Sequence, residues 1–275
     1  MELTQADVER VVAAALAEDV GAGDRTSEAL VPADARCRAQ LVLEEPGIVC
    51  GVPIAAAVFR ALDPTVRVEA LVEEGAIVTE PPAVLAEIEG PARAVLTGER
   101  VALNLVGRLC GIASLTRRYA ELTEGTQATI LDTRKTTPGL RALEKYAVRC
   151  GGGANHRAGL YDAILVKENH LRIAGGITAA VAMLNGSVGV EVEAETLAQV
   201  QEALDAGVGR ILLDNMSPEQ VAEAVTLTAG RAELEASGGI SLATVRGYAE
   251  TGVDFISVGA LTHGARSLHV SLEVE

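Results

Sequence analysis

From residue 128 to about residue 260 the chain repeats one pattern: a short apolar run, a polar or glycine-bearing turn, then a helical stretch. The runs are "ATILD", "DAILVKE", "VGVEVE", "RILLD", "AELEAS" and "VDFISVG", and "DAGV" (205–208) and "ETGV" (250–253) read as helix-to-strand turns. Strands that alternate with helices pair in parallel, because each helix serves as the crossover between neighbours. About six such units at intervals of roughly 20 residues predict an α/β barrel short of the usual eight units, in preference to an open sheet. No GxGxxG fingerprint opens the first unit, which weakens the open-sheet alternative further.

The residues before this region change period several times. A helix is expected from Thr4, with Asp7 three positions on completing a capping box, and "GAGDRTS" (21–27) ends it. Residues 35–50 read as strand, turn, strand about Pro46-Gly47, and Pro53 opens a short helix to about Leu62. "VRVEALVEEG" and "AVLAEIEGPARAVL" alternate apolar and polar residues as half-buried antiparallel strands do. Over 97–123, Val101, Leu105, Leu109 and Ile112 form an apolar helical stripe, with Arg100, Asn104 and Arg108 on another face. Arginines so placed are most often a solvated helix surface. Gly107 and Gly111 leave room for something to approach that helix closely. The fold expected is therefore an N-terminal α+β domain over 1–107 and an incomplete, six- to seven-unit α/β barrel of parallel strands over 108–265. The C-terminal tail, about 266–275, is expected to pack on the first domain.

Charge narrows the function. A formal net charge of -15 argues against nucleic acid, whose phosphates require a basic face, and with 2% aromatics and no Trp there is no stacking platform for bases. Any anion site must then be a local cationic pocket. The four cysteines show neither CxxC nor zinc spacing and read as reduced thiols of a cytoplasmic protein. The apolar stretch "VVAAALA" (11–17) is too short to span a bilayer, so no membrane partner is expected.

In α/β barrels chemistry sits at the C-terminal ends of the strands. Those ends carry Asp132, Thr133, Arg134 and Lys135; then Lys167, Glu168 and Asn169; Glu191 and Glu193; Asp214 and Asn215; Ser237-Gly238-Gly239; and Gly259-Ala260. Any one could be a solvated loop charge; strand after strand, they make a site. Arg134, Lys135, Lys167, His156 and Arg157 form a cationic group suited to a small molecule with two carboxylates. Glu193 and Asp214, on consecutive strands, suit Mg²⁺ or the hydroxyls of a ribose, or else pair with the neighbouring cations. The loops "SGGI" and "VGALTHG" present backbone N–H groups suited to phosphate, and Thr137 with Pro138 reads as the start of a helix whose positive end faces Arg134 and Lys135.

The segments "ERVALNLVGRLCGIASLT", "DTRKTTPGLRALEKYAVRCGGGANHRAGLYDAILVKENHL", "VEVEAETL", "ILLDNM", "ASGGI" and "VGALTH" together resemble the quinolinate phosphoribosyltransferase family over essentially the whole chain. The long middle segment is the specific part of the resemblance. It implies phosphoribosyl transfer from phosphoribosyl pyrophosphate to quinolinate with decarboxylation, using Mg²⁺, in NAD synthesis. It also implies a homodimer, or a higher assembly such as a hexamer, with the N-terminal domain facing the partner's barrel. By motif position, Thr133, Arg134, His156, Arg157 and Lys167 would hold quinolinate, with Arg100 entering from the partner subunit. Lys135, Glu193 and Asp214 would serve phosphoribosyl pyrophosphate and its metal, Glu193 and Asp214 directly or through water. Ser237, Gly238, Gly239, Val258, Gly259 and Ala260 would cradle the 5′-phosphate. "THGARSLHVS" departs from the family's "THSA", which leaves His263 without an assigned role.

Three rivals are retained. A molybdate-transport-associated paralogue shares the TRK and Gly-rich segments, but is not expected to keep "NHRAGLYDAILVKENH". A Schiff-base aldolase would use Lys167 at a strand end. A non-catalytic binder of anionic metabolites would hold ligand without turnover.

Overall fold

The computed structural model describes residues 3–184, 186–187 and 189–275. Val188, which opens the run "VGVEVE", and the first two residues of the N-terminal domain lie outside them.

Helix α1 (Gln5–Val20) starts where its capping box places it, the Thr4 hydroxyl accepting the Asp7 N–H at 3.2 Å, and it buries Val8, Val11 and Val12. Residues 21–27 do more than end it. Asp24 caps a second helix, α2 (Arg25–Leu30), by accepting the N–H groups of Thr26 and Ser27. Strand β1 (Arg36–Leu43) and strand β2 (Gly47–Ile48) flank Pro46, but β2 pairs with β4 (Ile77–Val78) and not with β1. Helix α3 (Val52–Leu62) precedes β3 (Arg67–Ala70) and β5 (Ala83–Pro91). The alternation read through "GPARAVL" stops at Pro91, where the chain turns directly into the long helix α4 (Ala92–Leu122).

The tail supplies β12 (Val270–Val274), antiparallel to β1, giving a sheet of order β12-β1-β5-β3. Gly107 and Gly111 explain its path. Leu268 N–H donates to Gly107 O at 2.9 Å, and a Cβ on Gly111 would collide with the Arg266 carbonyl. Arg266 then pairs with Glu45, Nη1 to Oε1 at 2.8 Å, which holds the Glu45 carboxyl down at about 2.

The six apolar runs all become parallel strands: β6 (Thr129–Leu131), β7 (Ile164–Val166), β8 (Val190–Ala194), β9 (Arg210–Asp214), β10 (Glu233–Ser237) and β11 (Phe255–Ser257). Their order is β6-β11-β10-β9-β8-β7, so two strands adjacent in sequence form the two edges of an incomplete barrel. Ala154 adds a parallel bridge to Leu131 outside β6. Helices α6 (Glu168–Ala174), α7 (Ile177–Leu184), α8 (Leu197–Asp205), α9 (Pro218–Thr228), α10 (Val245–Ala249) and α11 (Ala260–His263) connect or follow the strands, while α5 (Arg141–Cys150) lies between β6 and β7 in sequence. The "DAGV" and "ETGV" turns need Gly207 and Gly252, with φ of +78° and +86°. Val192, Ile211, Leu213, Ala236 and Ile256 are buried within the sheet.

Contacts divide the chain into two units: residues up to 117 with 136–152 and 262–275, and residues 118–135 with 153–261. The second contains all six barrel strands. Against the boundary expected at 107/108, α4 continues unbroken to Leu122, and α5 with the tail falls in the first unit. No helix among the described residues is long and apolar enough to cross a membrane.

Candidate active site

Every expected site residue except Arg100 lies in the barrel unit. Asp132, fully buried at the end of β6, accepts the His156 N–H at 2.9 Å and the Asn155 side-chain amide at 2.6 Å. It thereby fastens the "NHR" segment to the end of β6. Thr133 Oγ1 accepts the Lys135 N–H at 3.1 Å, a tight turn on which Arg134 and Lys135 are exposed. The helix expected at Pro138 starts later. A turn closed by Leu140 N–H to Thr137 O intervenes, α5 begins at Arg141, and Thr137 gives its N–H and hydroxyl to Glu144 at 3.0 and 2.8 Å. Arg134 and Lys135 thus sit on a turn and not against a helix end.

Arg157 is one of the buried groups whose needs are not fully met. Its Nη1 donates to Ala163 O at 3.1 Å, while its buried Nε has no hydrogen-bond partner among the described residues. Burial, and then the charge of Arg134 nearby, hold its pKa below the usual arginine value. Two cations are kept close with one N–H unsatisfied, an arrangement that an incoming carboxylate would relieve.

His156 has a different job from that of a third cation. Its Nδ1 accepts the Arg157 N–H at 2.7 Å, so the ring proton sits on Nε2 and is donated to Glu191 Oε2 at 3.0 Å. Glu191 is the second residue of β8, not its end, and belongs to an ionic network inside the barrel unit. Arg210 Nη2 meets Glu235 Oε2 at 2.5 Å, its Nε lies 3.2 Å from Glu191 Oε1, and its guanidinium stacks 4.1 Å from the Phe255 ring centre. Burial raises Glu235, and Glu191 reinforces this, so the two glutamates share charge unequally. The runs "RILLD" and "AELEAS" hide this network from sequence reading; the i, i+2 spacing of Glu191 with Glu193, which puts both on one face of β8, is the signal that could have revealed it. His156 and Arg157 also border a cavity of about 720 Å³ whose other walls include the amino ends of β8, β9 and β10.

The acids form the second half. Lys167 Nζ lies 2.5 Å from Glu193 Oε2, and Glu193 Oε1 accepts the Glu168 N–H at 3.2 Å. Asp214, at the end of β9, takes a hydrogen bond from Asn215 at 2.6 Å. Burial raises its pKa first and the Glu193 charge second, with Lys167 and Lys135 opposing. Two mutually repelling carboxylates beside lysines fit a hard divalent cation, which would relieve the repulsion that raises Asp214. Beyond them, Gly238 leaves the space that Asn215 Oδ1 fills, since a Cβ there would strike it. The helix after "SGGI" begins only at Val245 and runs five residues, so the loop does not lead straight into a helix end. Val258 N–H is already bonded to Leu131 O at 2.9 Å.

Two arginines of α4 part company. Arg100 is 65% exposed, with Glu99 at 4.0 Å. Arg108 is no solvated surface: it clamps buried Glu144 at 2.9 Å and donates to the Ala265 and Thr262 carbonyls.

Two family models match the sequence, the quinolinate phosphoribosyl transferase N-terminal domain over residues 24–110 and its C-terminal domain over 112–273. The chain belongs to the quinolinate phosphoribosyltransferase family. A probable nicotinate-nucleotide pyrophosphorylase (carboxylating) of Bacillus subtilis is 44% identical, the match covering 94% of this chain and 90% of that protein. A quinolinate phosphoribosyltransferase (decarboxylating) of Nicotiana tabacum is 39% identical over 98% of this chain and 83% of its own length. The crystal structure of NadC from Streptococcus pyogenes superposes with a TM-score of 0.95 at 40% identity, covering 100% of this chain and 99% of that one. Family membership disfavours the paralogue and the aldolase alike. Lys167, half-exposed and ion-paired, is also not the desolvated amine that imine formation needs.

Proposed function

We infer that the chain transfers the phosphoribosyl group of phosphoribosyl pyrophosphate to the ring nitrogen of quinolinate and releases CO₂ and pyrophosphate, forming nicotinate mononucleotide for NAD biosynthesis. The observation that carries this, beside the family match, is the under-satisfied Arg157 next to Arg134. Those two guanidiniums are the anchors for the quinolinate carboxylates. Thr133 and Lys167 complete the set, and Arg100 of the partner subunit in a homodimer joins it. His156 serves as a neutral strut, fixing the Arg157 backbone through Nδ1.

Asp214 and Glu193 face the ribose, where positive charge develops as pyrophosphate departs from C1. They are also the residues that would hold Mg²⁺, directly or through water, and an ion held there would supply positive charge against the leaving pyrophosphate. Lys135 assists on the same group. The N–H groups of Ser237 to Gly239 and of Gly259 to Ala260 receive the 5′-phosphate. Once the ring nitrogen is bonded to ribose it is cationic, and it stabilises the carbanion left when the adjacent carboxylate leaves as CO₂. A clamp on that departing carboxylate would stabilise the ground state, so the strongest cationic grip belongs on the retained one. Four free cysteines fit a cytoplasmic enzyme.

The direct assay follows CO₂ and pyrophosphate release from quinolinate, phosphoribosyl pyrophosphate and Mg²⁺. Equimolar release is expected. Pyrophosphate release with nicotinate in place of quinolinate, and none with quinolinate, would overturn the substrate assignment.

A further inference from the structure

Away from the barrel unit, three thiols, a carboxylate and a phenol meet around the start of α3 and the end of α5. Cys50 is fully buried and Cys150 half-buried, and their sulfurs and a Glu74 carboxylate oxygen lie within 4.8 Å of one another. Cys110 is the third thiol, but the backbone holds it: its sulfur accepts the Cys50 N–H at 3.2 Å and donates to Cys50 O at 3.3 Å. Burial pushes Cys110 up to about 12, which keeps it protonated and unreactive.

A metal is not the best occupant. Glu74 uses Oε2 to accept the Gly51 N–H at 2.7 Å and the Tyr146 hydroxyl at 2.8 Å, and Oε1 to accept the Val52 N–H at 3.0 Å. Its oxygens cap α3 and would have to abandon backbone donors to ligate an ion. The two sulfurs remain the groups free to react.

They are also unequal. The neighbouring Cys50 thiol lowers the Cys150 pKa first, the Tyr146 hydroxyl and the Arg149 charge act in the same direction, and burial and Glu74 act against them. Burial raises Cys50. Cys37, the remaining cysteine, is raised by its burial. Cys150 is thus the more accessible sulfur of the pair and the more readily deprotonated one, beside a buried thiol.

We propose that Cys50 and Cys150 form a peroxide-oxidisable dithiol, with Cys150 reacting first and Cys50 resolving it. The Cys150 thiolate attacks one oxygen of hydrogen peroxide; an S–O bond forms, the O–O bond breaks and hydroxide leaves, giving the sulfenic acid. The Cys50 sulfur then attacks the Cys150 sulfur. An S–S bond forms, the S–O bond breaks, and the hydroxyl leaves as water with the Cys50 proton. Two thiols lose two electrons and two protons to one peroxide, which becomes two waters. The product ties the residue before Gly51, at the entry to α3, to the last residue of α5, and a thiol reductant reverses it.

The test treats the folded enzyme with one equivalent of hydrogen peroxide and maps peptides with and without dithiothreitol. A Cys50–Cys150 cross-linked peptide, lost on reduction, is expected, with Cys37 and Cys110 still alkylatable. Cys50→Ser should halt at a dimedone-reactive sulfenic acid on Cys150. Cys150→Ser should form neither a disulfide nor a sulfenic acid and should leave Cys50 alkylatable. Dimedone labelling of Cys150 in the unsubstituted protein without any disulfide would overturn the proposal. So would oxidation of Cys37 at the same rate as Cys150, or a dimedone-reactive sulfenic acid on Cys50 in the Cys150→Ser variant.

Discussion

Glu193 connects two cationic and acidic groups: its Oε2 lies 2.5 Å from Lys167 Nζ, and its charge is a cause of the raised pKa of Asp214. If Asp214 serves the ribose as a carboxylate, kcat/KM falls as pH drops through that raised pKa. Glu193→Gln removes one of the two raising causes. The acid limb of the pH profile should therefore move to lower pH, while the maximal rate falls because Lys167 loses its partner. A limb that stays in place would mean Glu193 and Asp214 act independently.

The same shift has a stability consequence of definite sign. A carboxyl raised above its ordinary value of 3.8 favours the folded state while protonated, and that advantage disappears as pH rises through the folded pKa. At neutral pH the ionised Asp214 is thus a destabilising charge. Asp214→Asn should raise the midpoint of thermal unfolding at pH 7, show no such gain near pH 3, and abolish turnover.

Arg157→Ala should lower kcat/KM by about 10²–10³, the scale of losing one preorganised donor to developing charge. Steady-state kinetics with quinolinate varied at saturating phosphoribosyl pyrophosphate would measure it. Because Arg157 is itself under-satisfied, the variant should unfold no earlier than the parent.

Arg100 is exposed on α4 and belongs to the other unit of the chain. If it serves a partner's site, mixing Arg100→Ala chains with Lys135→Ala chains should recover activity in heterodimers, each of which then contains one intact site. Confirmed heterodimers without recovery would take Arg100 out of the partner's site.

Arg108→Met separates a clamp from a surface residue. Glu144 has no exposed surface and, among the described residues, would keep its hydrogen bonds from Thr137. Stranding a buried carboxylate costs about 3–5 kcal/mol, whereas a solvated arginine would change stability by roughly 0.5 kcal/mol or less. Urea unfolding distinguishes the two.

The barrel was legible because its strands are short apolar runs ending in polar residues, a pattern set by burial on both faces. What stayed hidden depends on partners far away in sequence. Arg108 looks like a surface arginine until Glu144 and the Thr262 and Ala265 carbonyls are brought to it. Pro138 looks like a helix start, but Glu144 draws Thr137 into a turn first. "GPARAVL" continues the alternation of β5 on paper, yet it begins α4, because its apolar residues satisfy a helical period equally well. The site was already divided in the sequence into a cationic group and an acidic pair; that Lys167 sides with Glu193 and Asp214 required the fold.

The most direct measurement is a crystal structure with quinolinate and a non-reactive phosphoribosyl pyrophosphate analogue bound together. The quinolinate carboxylates should meet Arg134 and Arg157, with the Arg157 Nε satisfied, and the ribose should lie against Asp214 and Glu193. Quinolinate seated elsewhere, with both guanidiniums still without an anion, would contradict the account.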